Sequence, residues 1–248
     1  MTYCVGLMLD KGLVLMSDTR TNSGVDNISV FRKLVHWEVP GERIVAVMTA
    51  GNLATTQAVI SQLEERTKTP DERRNSVFDA PTMFQVATEI GRLLQETIED
   101  RQEVNGQNGQ GRFTATMIVA GQIKGMEPRL FLIYPEGNFI EASWDTPFFQ
   151  IGETKYGRPI LIRAYDRTMS FEDAVKLLMV SFDSTLKANL SVGMPLDVMV
   201  IEREAYAPRH EQRITQEDEY FQMVSAGWGD SLRQAFNALP DFTFAKGK

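Results

Sequence analysis

Apolar residues run almost unbroken over positions 3–9, and a second such run covers 13–17. The turn signal Asp10-Lys11-Gly12 separates them. Short apolar runs bounded by turn residues read as buried strands, and two of equal length around a tight turn read as a hairpin. Antiparallel arms of equal length bring the end of the second beside the start of the first. The pattern therefore predicts that Asp18 lies next to Thr2. Residues 19–31 are polar and turn-rich and read as a loop with short extended pieces. Residues 33–39 and 43–49, around Pro40-Gly41, read as a third and fourth strand, and the four strands as one antiparallel sheet. A helix is expected at about 52–66, with Leu53, Ala58, Val59 and Leu63 among its apolar positions. A charged connection covers 67–78, and a second helix runs from about 81 to 103. Asp79 is its expected N-cap, and Pro81 sits in its first turn. Met83, Val86, Ala87, Ile90, Leu93, Leu94 and Ile98 form a helical stripe of the kind that faces a core.

Residues 105–111 are rich in Asn and Gly. They lack the lysine and the strand-before-helix order that a phosphate-cradling loop needs, and they read as a mobile connection. A strand follows over 113–120, and 130–134, 139–143 and 147–151 continue a meander between Pro135-Glu136-Gly137 and Asp145-Thr146. Helices are expected at about 154–165 and 171–188, the second capped near Ser170 with Glu172 and Asp173 in its first turn. Two late strands are expected at about 196–202 and 204–207. Past Pro208 the chain is polar and charged, but Trp228, Leu232, Phe236 and Leu239 recur at helical spacing, and Phe242 and Phe244 lie near the end. Each sheet in this order can bury one face against the other and one beneath helices. The predicted fold class is α+β, a four-layer α-β-β-α sandwich of two antiparallel sheets. The predicted division is a 1–207 domain and a 208–248 extension that docks on its own domain or on a neighbouring subunit.

Composition narrows the chemistry. The 248 residues are 43% hydrophobic and 24% charged, within the range of a soluble globular protein with a sizeable core. No apolar run reaches a membrane span, and the opening residues do not read as a secretory signal. A net charge of −7 argues against a general nucleic-acid partner, which would select a basic face. Cys4 is the single cysteine, so no intrachain disulfide can form and a cytoplasmic location fits. His36 and His210 are the two histidines, and no HExxH, paired CxxC or GxSxG is present. Neither a metal centre nor a serine triad is expected, and no cofactor is implied.

What remains is the start of the chain. If Met1 is trimmed, Thr2 carries a hydroxyl nucleophile and a free α-amine on one residue. An α-amine has an unperturbed pKa of about 8 and can take the hydroxyl proton. This is the N-terminal-threonine form of nucleophile-plus-base catalysis. A threonine at position 2 has almost no specificity alone, and its weight comes from Ser17-Asp18-Thr19-Arg20, from Lys33 at the start of the third strand, and from Ala50-Gly51 before a helix.

With those residues the chain, from Thr2 to about Glu202, resembles the N-terminal-nucleophile hydrolases of the proteasome β-subunit type. The resemblance implies that Thr2 attacks a carbonyl, that Lys33 lowers the proton affinity of its hydroxyl and amine, that Asp18 holds Lys33 charged, and that the Gly51 N–H is the oxyanion donor. It also implies supporting roles for Asn189 and Ser191. At the place of the family's other supporting serine, before the third helix, this chain reads Gly152-Glu153-Thr154. The opening Met1-Thr2-Tyr3, the run Ser17 to Asn22 with a nearby Gly24-Val25-Asp26, Phe31-Arg32-Lys33 and the long C-terminal segment point to a bacterial branch of that family. Membership there implies a homo-oligomer built as an open or spiral ring, acting on peptide or other amide bonds. The alternatives are a relict scaffold that only assembles, and a non-peptide amidase or transferase. Asp18 and Lys33 would equally serve as a structural ion pair between strands.

Overall fold

The computed structural model describes residues 1–22, 28–68, 76–105 and 113–244. Parts of the expected 19–31 loop, including Gly24-Val25-Asp26, lie outside the described residues, as do most of the charged connection, all but Asn105 of the Asn/Gly-rich stretch, and the last four residues.

Strands β1 (Tyr3–Leu9) and β2 (Gly12–Asp18) form the expected hairpin, in register from Leu9 opposite Gly12 to Cys4 opposite Ser17. A two-stranded ribbon, β3 (Arg20–Asn22) and β4 (Ile28–Val30), precedes a second hairpin, β5 (Leu34–Val39) and β6 (Arg43–Gly51). Helices α1 (Leu53–Lys68) and α2 (Met83–Asn105) follow. Then come β7 (Ala115–Ile123), β8 (Arg129–Ile133), β9 (Phe139–Glu141) and β10 (Phe148–Gly152). Helices α3 (Arg158–Ala164) and α4 (Phe171–Ala188), strands β11 (Leu196–Glu202) and β12 (His210–Ile214), and helix α5 (Glu219–Asn237) complete the chain.

The four opening strands do not share one sheet. One five-stranded sheet has the order β10-β1-β2-β11-β12 and the other β5-β6-β7-β8-β9, both antiparallel. The β10 strand likewise leaves the expected meander to pair with β1, placing Gly152 opposite Tyr3. The physical reason is that β1, β2, β6 and β7 are buried on both faces. A run apolar on both faces does not mark which neighbour it takes.

Alternation within each strand builds the four layers. Tyr3, Val5, Leu7, Val14, Met16, Leu196 and Val198 face α3, α4 and the start of α5. Cys4, Leu13, Leu15, Ile44, Ala46, Met48, Ile118, Ala120 and Met199 fill the space between the sheets. Val45, Val47, Met117, Val119 and Phe131 face α1 and the predicted α2 stripe. The architecture is the α-β-β-α sandwich, with β12 as an edge strand and Phe221 of α5 packed into the helical core.

Three local expectations are corrected. Helix α2 starts at Met83, where Thr82 Oγ1 accepts from Gln85 N at 3.2 Å. Asp79 is not the cap, because the amides of Asp79 and Ala80 turn back to the Ser76 carbonyl. The expected 204–207 strand is a turn. Glu204 and Tyr206 have left-handed backbones, φ 65° and 55°, that cannot continue a strand, and pairing resumes at His210. Helix α3 begins only at Arg158. Gly157 before it lies against the buried Tyr3 hydroxyl, which bonds Ser181 Oγ and accepts from Gln150 Nε2, each at 2.7 Å. A Cβ on Gly157 would stand 2.2 Å from Ser181 Oγ and 2.3 Å from Tyr3 Oη.

Gly157→Ala should therefore destabilise the fold by about 1–3 kcal/mol, the usual cost of overpacking a filled site. Thermal unfolding would report a melting point several degrees lower. An unchanged melting point would show that the contact relaxes at no cost.

Candidate active site

Asp18 ends β2 and is fully buried, at 0% exposure. Its Oδ1 accepts from the Tyr3 amide at 3.0 Å and from Lys33 Nζ at 2.7 Å. Its Oδ2 accepts from the Gly193 amide at 3.3 Å. Lys33, at the entry to β5, also donates to the Arg20 carbonyl at 2.6 Å, and its own carbonyl accepts from Thr49 N of β6 at 3.0 Å. Burial pushes the Asp18 carboxyl above the usual carboxylate range, and the Lys33 ammonium and the two amides oppose that push.

The hairpin thus returns Asp18 to the chain start as expected, and the contact it makes is with the amide after Thr2. The Thr2 carbonyl accepts from Glu153 N at 2.6 Å. That approach requires glycine at 152, where a Cβ would lie 2.0 Å from the Thr2 oxygen. Thr2, Lys33, Thr49, Gly51 and Gly152 line one pocket of about 580 Å³, with Arg20, Arg32 and Ile60 further out. Gly51 closes β6 at φ 115°, and a Cβ there would meet the Thr114 carbonyl at 2.5 Å. Four predicted residues, Thr2, Asp18, Lys33 and Gly51, therefore converge from both sheets.

Asn189 and Ser191 stand one step away. Asn189 caps the C-terminus of α4. Its Oδ1 accepts from the Ser191 amide at 2.9 Å, and its Nδ2 donates to Glu153 Oε2 at 2.8 Å. What Ser191 brings to this network is its main-chain N–H. Sequence reasoning missed Glu153, Gly152 and Gly193 as parts of the site. Gly193 leaves room for Arg20, whose Nε would sit 2.0 Å from a Cβ there, while Arg20 Nη1 donates to the Leu190 carbonyl at 3.0 Å. The one available signal was a lone glycine beside each predicted site segment.

The amine of Met1 lies in the same surroundings. Burial and the Lys33 charge hold it below its ordinary value, with Asp18 and Glu153 pulling the other way. Among the described residues no cluster of three His, Cys, Asp or Glu side chains is placed to hold a metal ion. No described helix is long and apolar enough to cross a membrane.

The family model described as proteasome subunit matches residues 2–201. The chain belongs to the proteasome subunit family. Among solved structures it is similar to Anbu, the ancestral β-subunit, from Yersinia bercovieri, at 44% identity and TM-score 0.91 over 98% of this chain and 100% of that one. It is also similar to the Anbu complex from Pseudomonas aeruginosa, solved as a helical assembly, at 40% identity and TM-score 0.90 over 98% of each chain. A proteasome subunit beta from Methanopyrus kandleri is 25% identical over 203 residues, covering 82% of this chain and 88% of the relative. The family model stops at 201, whereas the likeness to Anbu extends over the C-terminal segment as well. At these identities and coverages the chain is, within its family, of the Anbu type.

Lys33→Ala should cost about 3–5 kcal/mol, since it leaves Asp18 buried without its cation. The sign of its pH dependence follows from linkage. Without Lys33 the folded Asp18 binds its proton more tightly than the unfolded one, so the variant is least destabilised in acid. It should lose stability relative to the parent as pH rises from about 4 toward neutrality. Denaturant titrations at several pH values check this, and a pH-independent difference would count against a charged Asp18–Lys33 pair.

Proposed function

We propose that this protein is a threonine-type amide hydrolase, a proteasome-like peptidase, that acts through Thr2 after Met1 is removed. The observation that carries this reading is the buried Asp18–Lys33 pair at the head of the pocket that Thr2 and Gly51 line. The Thr2 hydroxyl attacks the substrate carbonyl, and the freed Thr2 amine takes its proton. The Lys33 ammonium lowers the proton affinity of both groups, and Asp18 keeps it in place. The Gly51 N–H stabilises the oxyanion, a role whose loss typically costs about 3 kcal/mol. The amine then passes the proton to the leaving amide nitrogen, giving an ester on Thr2 that water hydrolyses. While Met1 remains, the Thr2 nitrogen is an amide and cannot serve as base. A cytoplasmic setting fits the one buried, unpaired thiol, Cys4.

Thr2→Ala should abolish turnover of peptide substrates and labelling by a threonine-directed epoxyketone or boronate, with melting unchanged. Intact mass of active protein should lack one methionine. Turnover by protein that retains Met1, or labelling that survives Thr2→Ala, would remove the amine or the hydroxyl from the mechanism.

The 208–248 segment is proposed to serve both its own domain and assembly. The β12 strand and Phe221 fasten it to the sandwich, and Arg213 grips Asp197 of β11 through bonds of 2.7 and 2.9 Å. Beyond them Leu232, Phe236, Leu239, Phe242 and Phe244 are all exposed. So many exposed large apolar side chains in one segment point to an interaction site. One head-to-tail contact repeated with a rise gives an open ring or helix, in keeping with the helical assembly of the Anbu complex from Pseudomonas aeruginosa. Light scattering should give a large homo-oligomer for the full chain and smaller species for a chain ending at Asn237. A monomeric full-length chain at micromolar concentration would overturn the assembly, and an unaltered assembly of the shortened chain would free the tail of that role.

A further inference from the structure

Glu153 is a buried carboxylate, 6% exposed, next to the start of the chain. Neutral N–H groups hold both of its oxygens: Lys155 N reaches Oε1 at 3.1 Å and Asn189 Nδ2 reaches Oε2 at 2.8 Å. Its own amide holds the Thr2 carbonyl at 2.6 Å. Among the described residues no lysine or arginine side chain pairs with it. Burying a carboxylate without a cation is costly. Lys33 is already engaged by Asp18 and the Arg20 carbonyl. Arg20 is held by the Leu190 carbonyl at 3.0 Å, and the amine of the chain itself is a further cation at this end of the molecule.

We propose that Glu153 is a positioning residue, the buried counter-charge of the Thr2 amine once Met1 is gone, and that it sets the pH at which that amine acts as a base. This rests on the reading of Thr2 as nucleophile and base. For the amine of Met1, one residue before, burial and the Lys33 charge disfavour the protonated form, and Asp18 and Glu153 favour it. Arg20 and Arg32 line the same pocket further out. The Tyr3 hydroxyl, pushed up to about 12 by burial, stays neutral and supplies no charge.

Residue 189 supports the assignment. The Ser191 amide occupies Asn189 Oδ1, so the group turned to Glu153 is the donor NH2. An aspartate there would put two carboxylates at hydrogen-bond distance, where both cannot stay ionised. The acid at 153 and the amide at 189 are therefore a matched acceptor–donor pair.

The test reads the amine directly. Met1-free protein is acylated with limiting labelled acetic anhydride across a pH series, and mass spectrometry follows the N-terminal peptide. Glu153→Gln keeps shape and removes the charge. It should lower the labelling midpoint by about one pH unit, a tenfold fall in proton affinity. Glu153→Asp keeps the charge and should hold the midpoint near the parent's. A shift on removing the charge that the charged variant does not share cannot come from general loosening of the fold. An unchanged midpoint in Glu153→Gln, or an equal shift in Glu153→Asp, would overturn the proposal. The expected pattern in a protein that hydrolyses no amide would uphold Glu153 as counter-charge while removing the proposed activity.

Discussion

The ion pair between Asp18 and Lys33 holds the two sheets together at the place where the chemistry is expected. Asp18 ends a strand of one sheet, and Lys33 stands just before a strand of the other. The same carboxylate gathers the amides of Tyr3 and Gly193, and Lys33 gathers the carbonyl of Arg20. One buried charge pair thus fixes the chain start, the exit of β2, the entry to β5 and the loop after α4. Burying it is expensive, because desolvation opposes the Coulomb attraction. Three N–H donors on one carboxylate offset much of that cost. A hydrophobic pair would pack there at less expense, but it would leave the Tyr3 and Gly193 amides unbonded and no charge beside Thr2.

Much of this was legible in the sequence because it is local. Equal arms around Asp10-Lys11-Gly12 place Asp18 beside the chain start by geometry, and Ser170 caps α4 as its spacing to Glu172 and Asp173 suggests. The α2 stripe is core as its periodicity indicates. What was not legible is long-range. Strands β1 and β6 are apolar on both faces, so nothing in them says that β10 and β7 are the respective neighbours. The turn at Glu204 and Tyr206 depends on left-handed backbone at two residues that are not glycine, and composition does not announce it. Gly193 lies 175 residues from the carboxylate it serves. Its role is a missing side chain beside Arg20, which shows only when both are in place.

The helical layers differ in how they end. Around α1 and α2 the apolar stripe is used up against the sheet. Helix α5 spends Phe221 and Val224 on the core and then turns Leu232 and Phe236 outward. It is tied to α4 by polar contacts: Ser225 Oγ donates to Asp183 Oδ1 at 2.6 Å, and Lys187 holds the other oxygen at 2.9 Å. The helix is therefore anchored at its start and apolar toward solvent at its end. An isolated domain gains nothing from that arrangement, whereas a repeating assembly does.

Two carboxylates flank the first residues, and they are satisfied in different ways. Asp18 has a fixed ammonium and two amides. Glu153 has neutral donors alone. With the Thr2 amine protonated, the buried charges of Asp18, Lys33, Glu153 and the amine cancel. With the amine neutral, one negative charge is left over in a place of low polarizability. A site built to keep its amine permanently neutral would gain by having no acid at 153. A site whose amine must take a proton from a hydroxyl and later return it needs the protonated form to be reachable, because that form stands beside the oxyanion in the reaction. On the proposed reading, Lys33 draws the amine toward the base form and Glu153 limits how far, and the balance between those two charges is what the fold has to hold fixed.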